Sequence, residues 1–597
     1  MNKLREILMV WTIFYAVLLL FIPLMVANPV PTAQPIHRMD RMAEEPKGSS
    51  KVEASGVFIE GSYGGDAETL NLLLAADGTS FSYIGHTLDT LATYNNELDI
   101  HLLCLAKDIE VTADGLTYTV TIRDDLKWSN GSSVTAGDYV YTLKNLMFSD
   151  WLNYPYKDSW QENVDGATVF VRPEVDNDTT FIIRRQTVDP EFVYIIYDLI
   201  PYPEYIASKY EGNVDAFTRA PEFNELSYTG NLGPYRFKEW IRNDRYVVAR
   251  NPEYYLGKDT GAPYFEQYVV KQFGTSATML AALEAGDITE AGIEPQKVSR
   301  FKEMQDIDVY TIPSGGYTLL AYNQRNNSWE GMRNTLVRQA LSMSISKDLI
   351  CQKIYLGFAE PAYSFIPVVS PWYDAEAVVK YGVGQLYNKQ KAVEQLAQAG
   401  YAREENGKLK VVNKDGTPVK LILVTTTGGG LAEDIAYLVR QELMEIGVQV
   451  ELKLVPWENI LRQYMMNKVP GSNQTPRDNN GPDAVSEEPW DMILMAFGTD
   501  VMAPSGSSVF FTSDGGLNFI GYYNQEVDAL FNRVKSVEAI DETARARLYA
   551  EISHTLSQEQ PVDFLVFRRS NIGFQSNVGG VEPGISMGYN YYMWHFE

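Results

Sequence analysis

Several short motifs in this chain have residue types that could do chemistry. Gly584-Ile585-Ser586-Met587-Gly588 has the Gly-x-Ser-x-Gly form of a hydrolase nucleophile elbow. An elbow needs a strand before it, a helix after it, and an acid and a histidine further on; only nine residues follow Gly588, and His595 is the one histidine among them. Gly428-Gly429-Gly430, ahead of an apolar-periodic run, could present backbone N–H groups to a phosphate. It lacks the Lys-Ser/Thr ending of a P-loop and does not match G-x-G-x-x-G. The five histidines include no His-Glu-x-x-His pair, and with two cysteines the chain shows no zinc ligand set. The polar stretch 467–488 places Asp478 and Asn480 as in a calcium loop, but without the carboxamide and glycine that must follow, so a solvated insertion is expected. No enzyme, metal or cofactor is therefore expected. Asp500, after the apolar run 490–496 and within Gly498-Thr499-Asp500, reads on its own as a turn-capping aspartate.

The scaffold that positions these residues is large. A chain of 597 residues is too long for one core and should divide into two or three domains. A formal charge of -27 excludes a partner bound through its phosphates, which needs clustered Lys and Arg, and suits an exported surface. Aromatic residues make up 12% of the chain, with 38 Tyr, a composition able to line a wet cleft with amphipathic rings. Cys104 and Cys351 are read as two buried free thiols, with a single disulfide as the alternative. At the N-terminus Lys3 and Arg5 precede an apolar run over 7–27, as long as the roughly 20 residues that cross a bilayer. Met25 stands where a cleavage site wants a small residue, and no cysteine follows for a lipid anchor. An uncleaved anchor with the body outside is the reading, a cleaved signal peptide the alternative, and 28–50 is a Pro-rich linker.

From residue 51 onward the pattern alternates strands and helices. Asp114-Gly115 separates the segment 107–112 from the alternating 116–122, a β-hairpin, and Thr135 with Asp138 caps a helix running to about Met147. A second hairpin spans 235–250 around Asn243-Asp244. A strand, a helix over 276–284 and the turn Gly286-Asp287 make a β-α-β unit. Further on come a helical run through Arg338, Leu341, Ile345 and Leu349, a helix ending at Gly400, a strand-turn-helix-strand over 421–455, and a helix over 542–558 before Pro561 and a strand over 562–568.

The stretch 105–146, LAKDIEVTADGLTYTVTIRDDLKWSNGSSVTAGDYVYTLKNL, closely resembles the signature of the family 5 extracellular solute-binding proteins, the peptide, dipeptide and nickel receptors of ABC importers. Further ordered matches are GNLGPYRFKEWIRNDRYVVARNPEYY, MRNTLVRQALSMSISKDLICQKIYLGFAEPA, in which 344–347 corresponds to a family turn here altered to Ile-Ser-Lys, WDMILMAFGTD and YYNQEVDALFNRV, so the resemblance runs through nearly the whole body. It implies an α/β, two-lobed periplasmic-binding-protein-like fold of type II with an extra third domain: lobe I over 51–85, 230–315 and 560–597, the extra domain over 86–229, and lobe II over 316–559. It implies a receptor that captures peptides between its lobes by hinge closure and delivers them to a permease at the extracellular face of the membrane or in the periplasm. The same fold binding an oligosaccharide or other solute is the alternative, and an exported hydrolase the remote one. By position the resemblance makes Asp500 the acceptor of the peptide's α-amino group, with Phe497, where the family often has tryptophan, and Gly498 and Thr499 beside it. Tyr63 and Leu72 are implied as further cleft residues.

Overall fold

A computed structural model of the chain describes residues 53–597 apart from Gly64, Asp99, Gly428 and Gly429. The apolar run 7–27, the linker 28–50 and the first two glycines of the Gly428–Gly430 turn lie outside the described residues. Among the described residues no helix is long and apolar enough to cross a membrane. The described body forms two compact units, one from its start to Pro313 together with Ser570–Glu597, the other Ser314–Arg569. The segment 86–229, expected as an extra domain, belongs to the first of them.

In the first unit the strands run in the order Tyr235–Ile241, Arg245–Arg250, Gln267–Phe273, Val57–Tyr63, Glu290–Gly292 and then the far end of Val562–Gln575. Gln267–Phe273 and Glu290–Gly292 both lie parallel to Val57–Tyr63, and the helix Ser276–Glu284 is the crossover between them. Buried faces explain the sequence here: Phe58 stacks on Tyr268 and packs at a tilt against Phe265, at 4.8 and 5.1 Å between ring centroids. A separate antiparallel sheet holds Ala106–Val111, Thr117–Ile122, Thr180–Arg184 and Arg172–Asn177. Its hairpin forms where expected, because Asp114 Oδ1 accepts from the Leu116 N–H and Gly115 takes φ +69. Thr135 and Asp138 make a full capping box for Ala136–Tyr141, which continues as a π-helical segment, Thr142–Met147.

In the second unit Met492–Gly498 pairs antiparallel with residues 316–322 and, at its start, parallel with Lys420–Thr426, which in turn lies parallel to Gln449–Val455. Helix Gly430–Glu445 provides the crossover, burying Ile435, Ala436, Val439 and Leu443. The helical run through Arg338 to Leu349 is broken: Thr335–Ser344 ends at an extended Ile345, and Ser346 caps a new turn by accepting from the Leu349 N–H. The break places Lys347 inside, where its Nζ donates to the carbonyls of Ala362 and Phe564 and lies 2.8 Å from Asp563 Oδ1. Helix Glu542–Glu559 stops at Gln560, which takes φ 51 before Pro561. Cys104 in the first unit and Cys351 in the second are both buried, and no disulfide joins them.

Candidate functional site

The expected ligand residues 497–500 sit at the end of an apolar strand, and the strand decides which of them can reach a ligand. Met492–Gly498 is buried along nearly its whole length because strands flank it on both sides. Phe497, expected as a ligand-facing ring, is 3% exposed and packs against Phe510 and Tyr317, at 4.9 and 6.4 Å between centroids. Its apolar ring supports the strand and offers no surface. Gly498 is buried opposite Gly316, and Thr499 is buried with its Oγ1 2.9 Å from Ser507 Oγ. The Thr499 N–H donates to Gly315 O, and the approach is so close that a Cβ on Gly315 would lie 2.8 Å from Thr499 O, which only glycine permits.

Asp500 is exposed. Its Oδ1 accepts from the backbone N–H groups of Met502 and Ala503 at 2.7 and 2.9 Å. The turn-capping reading is therefore correct for one oxygen, while Oδ2 accepts no hydrogen bond among the described residues. Desolvation by the surrounding protein pushes the carboxyl above the ordinary aspartate range, and the two N–H donors pull against it. The residues after Asp500 belong to no strand, and a distant segment holds them: Ser370 Oγ donates to Val501 O at 2.6 Å and Trp372 Nε1 to Met502 O at 2.9 Å. Sequence reasoning missed both residues, because they lie 131 and 130 positions away from the carbonyls they bind and no spacing signals such a pair.

The two expected residues of the first unit differ from each other. Tyr63 ends Val57–Tyr63 and is 48% exposed, and partial burial with the negative charge of Glu294 raises its phenol. Leu72 is half-buried against the first unit's apolar core, so it serves packing. Of the six expected residues, Tyr63 and Asp500 are the exposed ones, each in its own unit.

The stretch 467–488 faces solvent over 470–477, as expected of a solvated insertion, while its two flanks are tied into the unit. Arg325, 2% exposed, donates to five backbone carbonyls, those of Phe519, Gly481, Ala484, Asp478 and Asn518. Asn467 Nδ2 donates to the carbonyls of Met465, Asp478 and Phe519, so the loop is sewn into the unit by long side chains satisfying its own backbone. Gly584–Gly588 lies in turns with Ser586 buried, and the next helical piece is the three-residue Tyr591–Met593, so no nucleophile elbow is built. Among the described residues no group of three or more His, Cys, Asp or Glu is placed to hold a metal ion.

Comparison with known proteins agrees with this architecture. The family model described as bacterial extracellular solute-binding proteins, family 5 Middle, matches residues 103–519. The oligopeptide-binding protein AppA of Bacillus subtilis is 26% identical over 542 residues, covering 89% of this chain and 90% of that one. The solved structure of AppA from Bacillus subtilis with a nonapeptide superimposes with a TM-score of 0.69 at 24% identity, over 92% of this chain and 100% of that one. An ABC transporter substrate-binding protein from Listeria monocytogenes, CtaP, gives a TM-score of 0.73 at 21% identity, over 91% and 100%. These likenesses show the α/β, two-lobed binding-protein fold of type II.

Proposed function

Because the chain belongs to the family 5 bacterial extracellular solute-binding proteins, we propose that it captures peptides by their free amino terminus and delivers them to the permease of an ABC transporter. The observation that carries this reading is Asp500: an exposed carboxylate, fixed by its own turn through one oxygen, with the other oxygen open to an ammonium group. A hydrogen bond to a charged partner contributes about 1.5 to 3 kcal/mol. The names of the relatives support the ligand and the transporter: AppA is an oligopeptide-binding protein whose structure holds a nonapeptide, and CtaP is a substrate-binding protein of an ABC transporter. Proteins of this family bind solutes, and the reading contains no catalytic step. The apolar segment 7–27 would hold the body at the extracellular face of the membrane, and the full chain should then stay with membranes through a high-salt wash.

The test is native mass spectrometry of the body from Lys51 onward, purified without refolding, followed by release of whatever it carries. A heterogeneous set of short peptides is expected. A single sugar-like mass would sink the peptide reading in favour of an oligosaccharide. Asp500→Asn then isolates the charge, since asparagine keeps an acceptor oxygen for the Met502 and Ala503 N–H groups.

A further inference from the structure

We infer that Ser370 and Trp372 are positioning residues for the Asp500 carboxylate, and through it for the preference for a free amino terminus; the inference rests on the amine-acceptor reading of Asp500. The argument starts from the peptide planes of the turn. The Val501 carbonyl and the Met502 N–H belong to one rigid peptide unit, as do the Met502 carbonyl and the Ala503 N–H. Each unit is gripped at both ends. The first has its N–H on Asp500 Oδ1 at 2.7 Å and its oxygen on Ser370 Oγ at 2.6 Å. The second has its N–H on the same Oδ1 at 2.9 Å and its oxygen on Trp372 Nε1 at 2.9 Å. With both planes held from outside, their N–H groups aim at a fixed point, and the carboxylate that accepts them is oriented with Oδ2 turned away from the turn.

The two donors are themselves held. Ser370 is 5% exposed and its Oγ accepts from the Trp372 N–H at 3.2 Å. Trp372 is 3% exposed, with the Arg545 guanidinium 4.5 Å over its ring and the Tyr549 ring at 5.8 Å between centroids. No strand fixes residues 499–503; Thr499 is held by Gly315 and Ser507 and the Ala503 carbonyl by the Gly506 N–H, so without these donors the two peptide units between them would rely on Asp500.

The experiment titrates the body from Lys51 onward with a random-sequence pool of synthetic nonapeptides made with free and with acetylated amino termini, and reads the ratio of the two affinities. Asp500→Asn should bring the ratio close to one. Trp372→Phe, which keeps the ring and removes the N–H, and Ser370→Ala should each lower it about fivefold, the equivalent of one neutral hydrogen bond, while acetylated peptides bind as before. Ser370→Thr, which keeps the hydroxyl, should restore the ratio. If Asp500→Asn collapses the ratio and the other variants leave it untouched, the inference is overturned and the reading of Asp500 stands. Equal loss for both pools in Trp372→Phe and Ser370→Ala would also overturn it, by showing a merely structural role. An unchanged ratio in Asp500→Asn would remove the reading and the inference together.

Discussion

Asp491 and Asp500 stand just outside the two ends of one strand, Met492–Gly498, and they have opposite fates. Asp491 is buried, and each of its oxygens is taken by a backbone N–H, Oδ1 by Trp329 at 2.6 Å and Oδ2 by Ile422 at 2.7 Å. Asp500 is exposed and spends one oxygen on its turn. Both carboxyls are pushed up by desolvation against the pull of backbone donors, so a raised pKa does not separate them. What separates them is the count of committed acceptors and the access of water. Asp563 is a third case in the same unit: the Lys347 ammonium lies 2.8 Å from its Oδ1, with side chains 0% and 1% exposed. That internal ammonium–carboxylate pair does for the core what Asp500 is proposed to do for a ligand.

The comparison can be broken from its strongest side first. Lys347→Met leaves Asp563 buried and unpaired, and a loss of about 3 to 5 kcal/mol of stability is expected in denaturant unfolding. A small loss would mean that the Asp563 charge is met some other way. Asp500→Asn should leave stability nearly unchanged and remove about 1.5 to 3 kcal/mol of binding from peptides with free amino termini, read by calorimetric titration. If it destabilises the fold as Asp491 substitutions do, the contrast between the two aspartates is lost. Asp491→Asn replaces one acceptor by an NH2 group facing a backbone N–H, so about 1 to 3 kcal/mol of stability should go, with no change in preference between free and acetylated peptides.

A fourth aspartate sharpens the role of burial. Asp89, in the first unit, accepts on one oxygen from the hydroxyls of Tyr254 and Tyr255 at 2.7 and 2.8 Å, yet burial raises its carboxyl to about 6. The folded chain then holds this proton more tightly than the unfolded chain, whose aspartates titrate near about 3.9. Its stabilising contribution is complete below that lower value and is lost as pH rises to about 6. Asp89→Asn should flatten this part of the stability profile, measured by thermal unfolding on either side of the window.

Much of the local structure was legible because its causes are local. Asp114-Gly115 turns the hairpin through an i to i+2 hydrogen bond and a positive φ, and Thr135 and Asp138 satisfy each other's N–H groups within one helical turn. The helix Ser276–Glu284 and the parallel strands around Gly430–Glu445 follow from apolar periodicity and glycine punctuation. The helical spacing from Arg338 to Leu349 does not run through: the helix breaks at the turn that the resemblance placed over 344–347, and the break brings Lys347 into the core beside Asp563, more than two hundred residues away. The loop 467–488 was legible in part: its polar middle, 470–477, does face water, while Arg325 and Asn467 supply the carbonyls of its flank with donors from inside the protein.

For Asp500 the division is the same. The run of residues from Trp490 to Asp500 determined that an apolar strand ends in a glycine turn with an aspartate on it, and the pattern along the whole body determined the family. Only the tertiary structure decided that Phe497 is core, that one oxygen of Asp500 is spent and the other open, and that Ser370 and Trp372 hold the turn. Turns and caps are set by neighbours in the chain, whereas burial and donor supply depend on which distant segment packs alongside, and that is known only once the chain has folded.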